Sequence, residues 1–500
     1  MGIVIRESIY TTMITYVGIA IGTVNALFLY TAFLSPDELG LVRLLPEMAI
    51  IFALLAQAGA PYILARFYPL FDAQSKHPQT VVIFSFFVGV FGFLLLGLAF
   101  SLYTDFFLAP YANRSKQIQD YSWSIVPLAL FVFLFGFAES LLRTQFKITL
   151  ASFLREVFLK VLNSCIVIAF GLGYISLPVF IAGFVCSYAC AFSILLWAVW
   201  VHGGLLPVKW GTLQSDDRKA MLLYGLGCIF SGLGSAFITK LDLMMLPAFT
   251  DLSQTGVYTI AIFFTTVMEV PKKSLNQIAL PIFIKADAAS NADEIRGLYQ
   301  KTSFLGFFTT ASLLLLVWVN LDSIFAIMPK GAYYQSGSIV ILLLGAAKVV
   351  DASGGIGLEM MSFSKHFRFL IIAIFAVGIF AAIGNYLLIP SYGIHGAAIA
   401  SLVVYSVFLL VRTLYIYRHY SILPFSKSML LSLVPLSIAF LVSYILVLLT
   451  SNFHPLLRLA AHSLVAFSIL LGGVYVLRIS PEINAIADKA VAILKSKRIS

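Results

Sequence analysis

Fourteen long apolar stretches occupy this chain, and its basic residues fall almost entirely in every second gap between them. They lie at roughly 9–33, 41–65, 80–103, 121–142, 150–172, 176–200, 221–247, 254–280, 302–320, 337–360, 369–389, 394–416, 428–450 and 456–477. A helix crosses a bilayer with roughly 20 apolar residues, and each stretch supplies that length. With the amino terminus placed in the cytoplasm, 25 of the 32 lysines and arginines, Lys272 and Arg412 among them, fall on inner loops, tails or inner span ends. Arg43, Arg114, Lys116, Lys330 and Arg458 fall outside, and Lys240 and Lys348 lie well inside spans. Basic residues flanking spans are retained on the cytoplasmic side. The pattern therefore predicts an all-α polytopic membrane protein of about 14 transmembrane helices with both termini cytoplasmic.

Composition agrees. Of 500 residues 61% are hydrophobic and 11% charged, and the mean hydropathy is +0.99. A water-soluble domain could not hide so much apolar surface, and no polar block long enough for a separate soluble domain is present. The net charge of +10 follows from topology and does not call for nucleic acid. Met1–Glu7 lacks a small-residue cleavage site, and the apolar run behind it reaches span length, so no cleavable signal is expected. Cys165, Cys186, Cys190 and Cys228 all lie in apolar stretches and read as small buried hydrophobes. Residues 481–500 carry apolar Ile483, Ala487, Val491 and Leu494 at helical spacing, which predicts an amphipathic helix on the inner surface. Tyrosines near span ends, such as Tyr103 and Tyr392, read as interfacial anchors.

Two pairs of segments resemble each other at a nearly constant offset. Ser35–Gly40 (SPDELG) opens the second stretch, and Asp251–Gly256 (DLSQTG) opens the eighth, 216 residues on. Tyr174–Gly183 (YISLPVFIAG) opens the sixth, and Tyr392–Ser401 (YGIHGAAIAS) opens the twelfth, 218 residues on. Six spans between equivalent points give both repeats one orientation, and such parallel repeats place a substrate site near the midplane. The predicted organisation is a first six-helix lobe at 1–218, a second at 219–420, two added helices at 421–480 and the tail at 481–500.

The stretches Gly256–Phe264 (GVYTIAIFF), Pro271–Pro281 (PKKSLNQIALP) and Tyr392–Ala400 carry a resemblance. They are similar to the polysaccharide-transporter branch of the multidrug/oligosaccharidyl-lipid/polysaccharide exporter superfamily, which includes Wzx-like O-antigen flippases and lipid II flippases. The resemblance extends to span count and paired lobes over the whole chain, though its motifs do not specify a cargo. It implies two six-helix lobes in a V-shaped arrangement plus two C-terminal helices, in a bacterial cytoplasmic membrane. It further implies a lipid-linked oligosaccharide substrate, with membrane lipids and other polysaccharide-assembly proteins as partners. No cofactor is expected, and coupling would be to a Na+ or H+ gradient, because no GxxxxGK[ST] loop is present to bind ATP.

A charged side chain at the bilayer centre costs roughly 2.5–3.5 kcal/mol on insertion scales, so the few charges inside the stretches are the candidate site. Lys240 and Asp242 are two residues apart, about 200° around a helix, and each needs a partner elsewhere. Lys348 and Asp351 are three apart and can pair on one helix face, which leaves a bland internal ion pair open beside a functional one. Gly354, Gly355 and Gly357 follow, and a helix break there could act as a hinge. Arg43 and Glu47 stand one turn apart around Pro46, as do Glu139 and Arg143 near an inner end. Glu269 beside Lys272 and Lys273 reads as an inner-interface cluster. In relatives a cation site can form near the seventh, eleventh and twelfth spans, and the resemblance implies Asp242 with Asn385 for it.

Three functions follow. A flippase for a polyprenyl-pyrophosphate-linked oligosaccharide would use Lys240 and Lys348, with Asp351, Arg43 and Glu47, in a hydrated cationic cavity. A cation-coupled multidrug antiporter would use the carboxylates Asp242, Asp351 and Glu47 instead. An enzyme is the least favoured, since the longest outer loop, about Thr104–Asp120, is short and no His/Asp/Glu constellation or metal spacing occurs.

Overall fold

The computed structural model describes residues 2–74, 77–112, 114–145, 147–201, 213–363, 367–450, 452–479, 484 and 488. The tail 481–500 lies outside the described residues apart from Asn484 and Asp488, as do Lys76, Lys209 and Lys365 of the inner-loop set. The main helices are α1 (Gly2–Val24), α2 (Pro36–Ala56), α3 (Ala60–Ala73), α4 (Pro78–Leu102), α5 (Ile125–Thr144), α6 (Leu159–Gly171), α7 (Leu177–Val201) and α8 (Ser215–Phe249). They continue with α9 (Leu252–Met268), α10 (Val270–Ala288), α11 (Ala292–Ile327), α12 (Ser338–Ser353), α13 (Gly357–Ser362), α14 (Phe367–Tyr420), α15 (Lys427–Leu449) and α16 (Pro455–Val476).

Among the described residues, 11 helices are long and apolar enough to cross a membrane. The protein is all-helical and multi-pass. Two of the sequence stretches fall short of a span of their own and two others are joined across a kink, so the helices counted are fewer than the stretches. Residues 150–172 pass through a π turn at Leu154–Phe158 and carry Arg155, Glu156 and Lys160 within six positions, which leaves no apolar segment of span length. Residues 254–280 break at Glu269, just before Pro271, which has no N–H to continue the ladder. In contrast α14 takes in two stretches, which are two helices joined at a sharp kink at Gly393, whose φ of +54° is not helical, just after Pro390. That left-handed backbone suits glycine, which has no Cβ to clash.

The chain forms two compact units, Met1–Ile260 with Ile374–Ala397, and Ala261–Ala373 with Ala398–Ser500. In the first, α2 is the central helix and packs against α4, α5 and α8. It starts at a capping box, with Glu38 N donating to Ser35 Oγ at 3.2 Å and Ser35 N donating to Glu38 Oε2 at 2.7 Å. In the second, α11 packs against α10, α12, α15 and α16. Phe304, Phe308, Leu315 and Val319 of α11 bury against Ala439, Ala466, Leu470 and Val474 of the two C-terminal helices.

The two segments matched at an offset of 216 meet each other within the first unit. A Cβ on Gly40 would lie 2.3 Å from the Leu252 carbonyl oxygen, and a Cβ on Gly256 would lie 2.2 Å from the Pro36 carbonyl oxygen. Adding 216 to positions 36 and 40 yields 252 and 256, so each contact is the mate of the other. Mutual contact of this kind is what a local two-fold relation produces. The caps match as well, since Gln254 N donates to Asp251 Oδ1 at 2.8 Å as Glu38 N does to Ser35 Oγ.

The cysteines depart from the sequence reading. Cys165, Cys186 and Cys190 are free and exposed, and Cys228 is half-buried and free. A helix surrounded by lipid carries apolar residues outward as well as inward, so an apolar stretch does not tell which face is packed.

The glycine contact can be checked directly. Gly40→Leu and Gly256→Val place side chains where a carbonyl already sits, and overpacking typically costs about 1–3 kcal/mol. Both variants are expected to lower the thermal unfolding midpoint of the purified protein, whereas Ile50→Ala on the exposed face of α2 leaves it nearly unchanged.

Candidate functional site

The charges inside the helices are gathered around carboxylates that each hold two cations. In the first unit Glu47 of α2 is 3% exposed and accepts from Arg43 Nη2 at 2.8 Å and from Lys240 Nζ of α8 at 2.8 Å. The expected one-turn Arg43–Glu47 pair is present, and Lys240 finds its required partner on another helix. Lys240 keeps 35% of its side chain exposed, whereas Glu47 is enclosed. Nearer the start of α6, Glu139 accepts from Arg143 at 2.9 Å and from Arg155 at 2.6 Å.

In the second unit Asp351 of α12 accepts from Lys272 of α10 and from Arg412 Nη2 of α14 at 3.1 Å. Arg412 also donates to the Asp351 backbone carbonyl at 3.2 Å, and its guanidinium lies 4.9 Å from the Phe408 ring centroid. Glu269 accepts from Lys348 at 2.6 Å and from Lys273 at 2.9 Å. Lys348 Nζ also donates to the Tyr405 hydroxyl at 3.0 Å.

The Lys348–Asp351 helix-face pair foreseen as one option is replaced by links to other helices. Asp351 has two stronger donors in Lys272 and Arg412, and Lys348 reaches Glu269. Arg412, which the charge count places at an inner span end, is fully buried at 0% exposure and bound to Asp351. Its place inside the run Val404–Ile416 was the available signal. Tyr258 and Tyr405 were not foreseen either, because a tyrosine in an apolar helix has no distinguishing mark in sequence.

Gly354 and Gly355 do interrupt the helix between α12 and α13, and Gly355 takes φ +46°. The break is braced by α11, where Thr302 Oγ1 accepts from Ile356 N at 3.3 Å.

Asp242, on α8, is 8% exposed. Its carboxylate accepts from the Tyr258 hydroxyl and, at 2.8 Å, from the Leu243 backbone N–H. Asn385 is 2% exposed and donates to the Ala381 carbonyl at 3.0 Å. Both residues belong to the first unit.

The fold is that of transporters of the multidrug/oligosaccharidyl-lipid/polysaccharide superfamily. The chain is similar to the lipid II flippase MurJ in an inward closed conformation, with a TM-score of 0.72 at 12% identity over 94% of this chain and 98% of that one. It is also similar to a multidrug resistance MATE family transporter in its inward-facing conformation, with a TM-score of 0.64 at 15% identity over 80% and 94% of the two chains. For an outward-facing MATE conformation the TM-score is 0.55 at 13% identity over 83% and 95%. These neighbours are transporters, not enzymes. No protein-family model and no curated protein matches the chain by sequence.

The asymmetry of exposure in the first cluster sets an expectation. Removing one partner of a buried ion pair costs about 3–5 kcal/mol, while exposed pairs contribute about 0–1 kcal/mol. Lys240→Met leaves Glu47 with Arg43, whereas Glu47→Leu leaves two cations without their carboxylate. Glu47→Leu is therefore expected to lower the thermal midpoint more than Lys240→Met. The double variant should be less destabilised than the sum of the singles, which a double-mutant cycle measures.

Proposed function

We propose that the protein is a flippase that moves a polyprenyl-pyrophosphate-linked oligosaccharide across a bacterial cytoplasmic membrane by alternating access. The observation that carries this reading is the repeated cluster of two cations on one carboxylate at Glu47, Glu269 and Asp351. Within each cluster one positive charge is left over. An anionic diphosphate can bind that charge without breaking the existing carboxylate contacts, and charge-assisted bonds to phosphate are strong. Lys240 is the more accessible cation of its cluster, which suits it for first contact. In this reading Lys240, Lys348, Asp351, Arg43 and Glu47 line the substrate route. The fold likeness to a lipid II flippase supports the same class of cargo.

Fourteen spans with both termini cytoplasmic are part of the proposal. So are two six-helix repeats, which the reciprocal glycine contact between Gly40 and Gly256 supports. The drive is an ion gradient.

A second reading, a cation-coupled multidrug antiporter, is favoured by one specific feature. Asp242 is buried on α8 with its carboxylate held by Tyr258, an arrangement suited to exchanging a cation or proton. Asp242 with Asn385 is the proposed ion site in either case.

The sign of the essential charge separates the two. In a flippase-null strain with its cognate glycan, the parent chain should restore surface glycan. Lys240→Ala and Lys348→Ala should each lower that by at least tenfold at normal membrane levels. Drug resistance that needs Asp242 and survives loss of both lysines would replace the flippase by the antiporter.

A further inference from the structure

Glu359 on α13 and Asn276 on α10 form a pair with one hydrogen too few. Asn276 Nδ2 donates to Glu359 Oε1 at 2.8 Å. The remaining oxygens, Glu359 Oε2 and Asn276 Oδ1, are both buried and have no hydrogen-bond partner among the described residues. Asn276 is 8% exposed and Glu359 is half-buried, but the two oxygens themselves are enclosed. Two acceptor oxygens cannot satisfy each other, and an unpaired buried acceptor is costly.

A single proton removes both deficits. An ionised carboxylate only accepts, but a protonated one carries an O–H donor. With the proton on Oε2, that O–H donates to Asn276 Oδ1 while Asn276 Nδ2 still donates to Oε1. The two groups then close a cyclic acid–amide pair in which both buried oxygens are satisfied. The proton comes from water as Glu359 passes from carboxylate to acid, and returns to water in the reverse step.

We infer that Glu359 is a proton-binding site whose acid form is held by the Asn276 side chain. The cations on the neighbouring elements are held by other carboxylates. On α10 Lys272 stands one turn before Asn276, on α14 Arg412 is fully buried, and both bind the single carboxylate of Asp351 on α12. Lys348 and Lys273 are taken by Glu269. On α11 the Tyr299 hydroxyl borders Gly357, two residues before Glu359. The acid form of Glu359 is thus satisfied by the amide alone. As the coupling site of a transport cycle it rests on the proposed function, whereas the protonation itself does not.

The test reads the proton and not transport, so failure of the flippase reading leaves its result standing. Infrared difference spectra of the purified full chain would be recorded across a pH series. The parent should show a carboxylic-acid C=O stretch that is lost in Glu359→Gln and shifted in frequency in Asn276→Leu. Should Glu359→Gln fail to fold, Asn276→Leu decides the same question alone. The inference is overturned by a spectrum with no Glu359-dependent acid band at any pH where the protein is folded. It is equally overturned by a band that Asn276→Leu leaves unmoved, or by a water or sodium ion bridging Oε2 and Oδ1 in a high-resolution structure without the acid band.

Discussion

A carboxylate between two cations is the interaction on which the interior of this protein depends. Inside a bilayer neither water nor salt is available to solvate an isolated charge, so each charge must be met by the chain itself. Glu47, Glu139, Glu269 and Asp351 each hold two cations, of which Arg143 and Lys273 are largely exposed and Arg412 is enclosed. The contacts join helices distant in sequence: α2 to α8 through Glu47, and α10, α12 and α14 through Asp351. The same contacts that tie helices together leave a surplus of positive charge. The proposed anionic cargo could be attracted by that surplus without pulling the bundle apart.

Backbone proximity is the second constraint. Lipid supplies no hydrophobic drive between helices, so association rests on close packing, for which small residues are favoured. Gly40 and Gly256 bring the starts of α2 and α9 together so tightly that any side chain would meet a carbonyl. Glycines act differently at 354–357 and at 393. There they let the helix break or bend, and at the first of these breaks Thr302 and Arg412 bond to backbone groups of Ile356 and Asp351.

The bonds described for Asp242 and Glu359 are to neutral groups: Tyr258 and the backbone for one, Asn276 for the other. Neutral partners can accommodate either protonation state of a carboxyl, which a fixed ion pair resists. Transport driven by an ion gradient needs groups of this second kind alongside the first.

Periodic apolar length and the distribution of Lys and Arg are local properties, so the helical membrane class and the short roster of intramembrane charges were legible from the sequence. So was the need of Lys240 for a partner, from the angle that separates it from Asp242. The identity of that partner was not, because Glu47 lies 193 positions away and only packing brings it there. The same holds for Arg412, whose partner Asp351 lies on another helix and is reached only by packing. A hydropathy pattern records how each residue prefers water or lipid. It carries no record of which faces of which helices meet, and the pairing of buried charges is decided there.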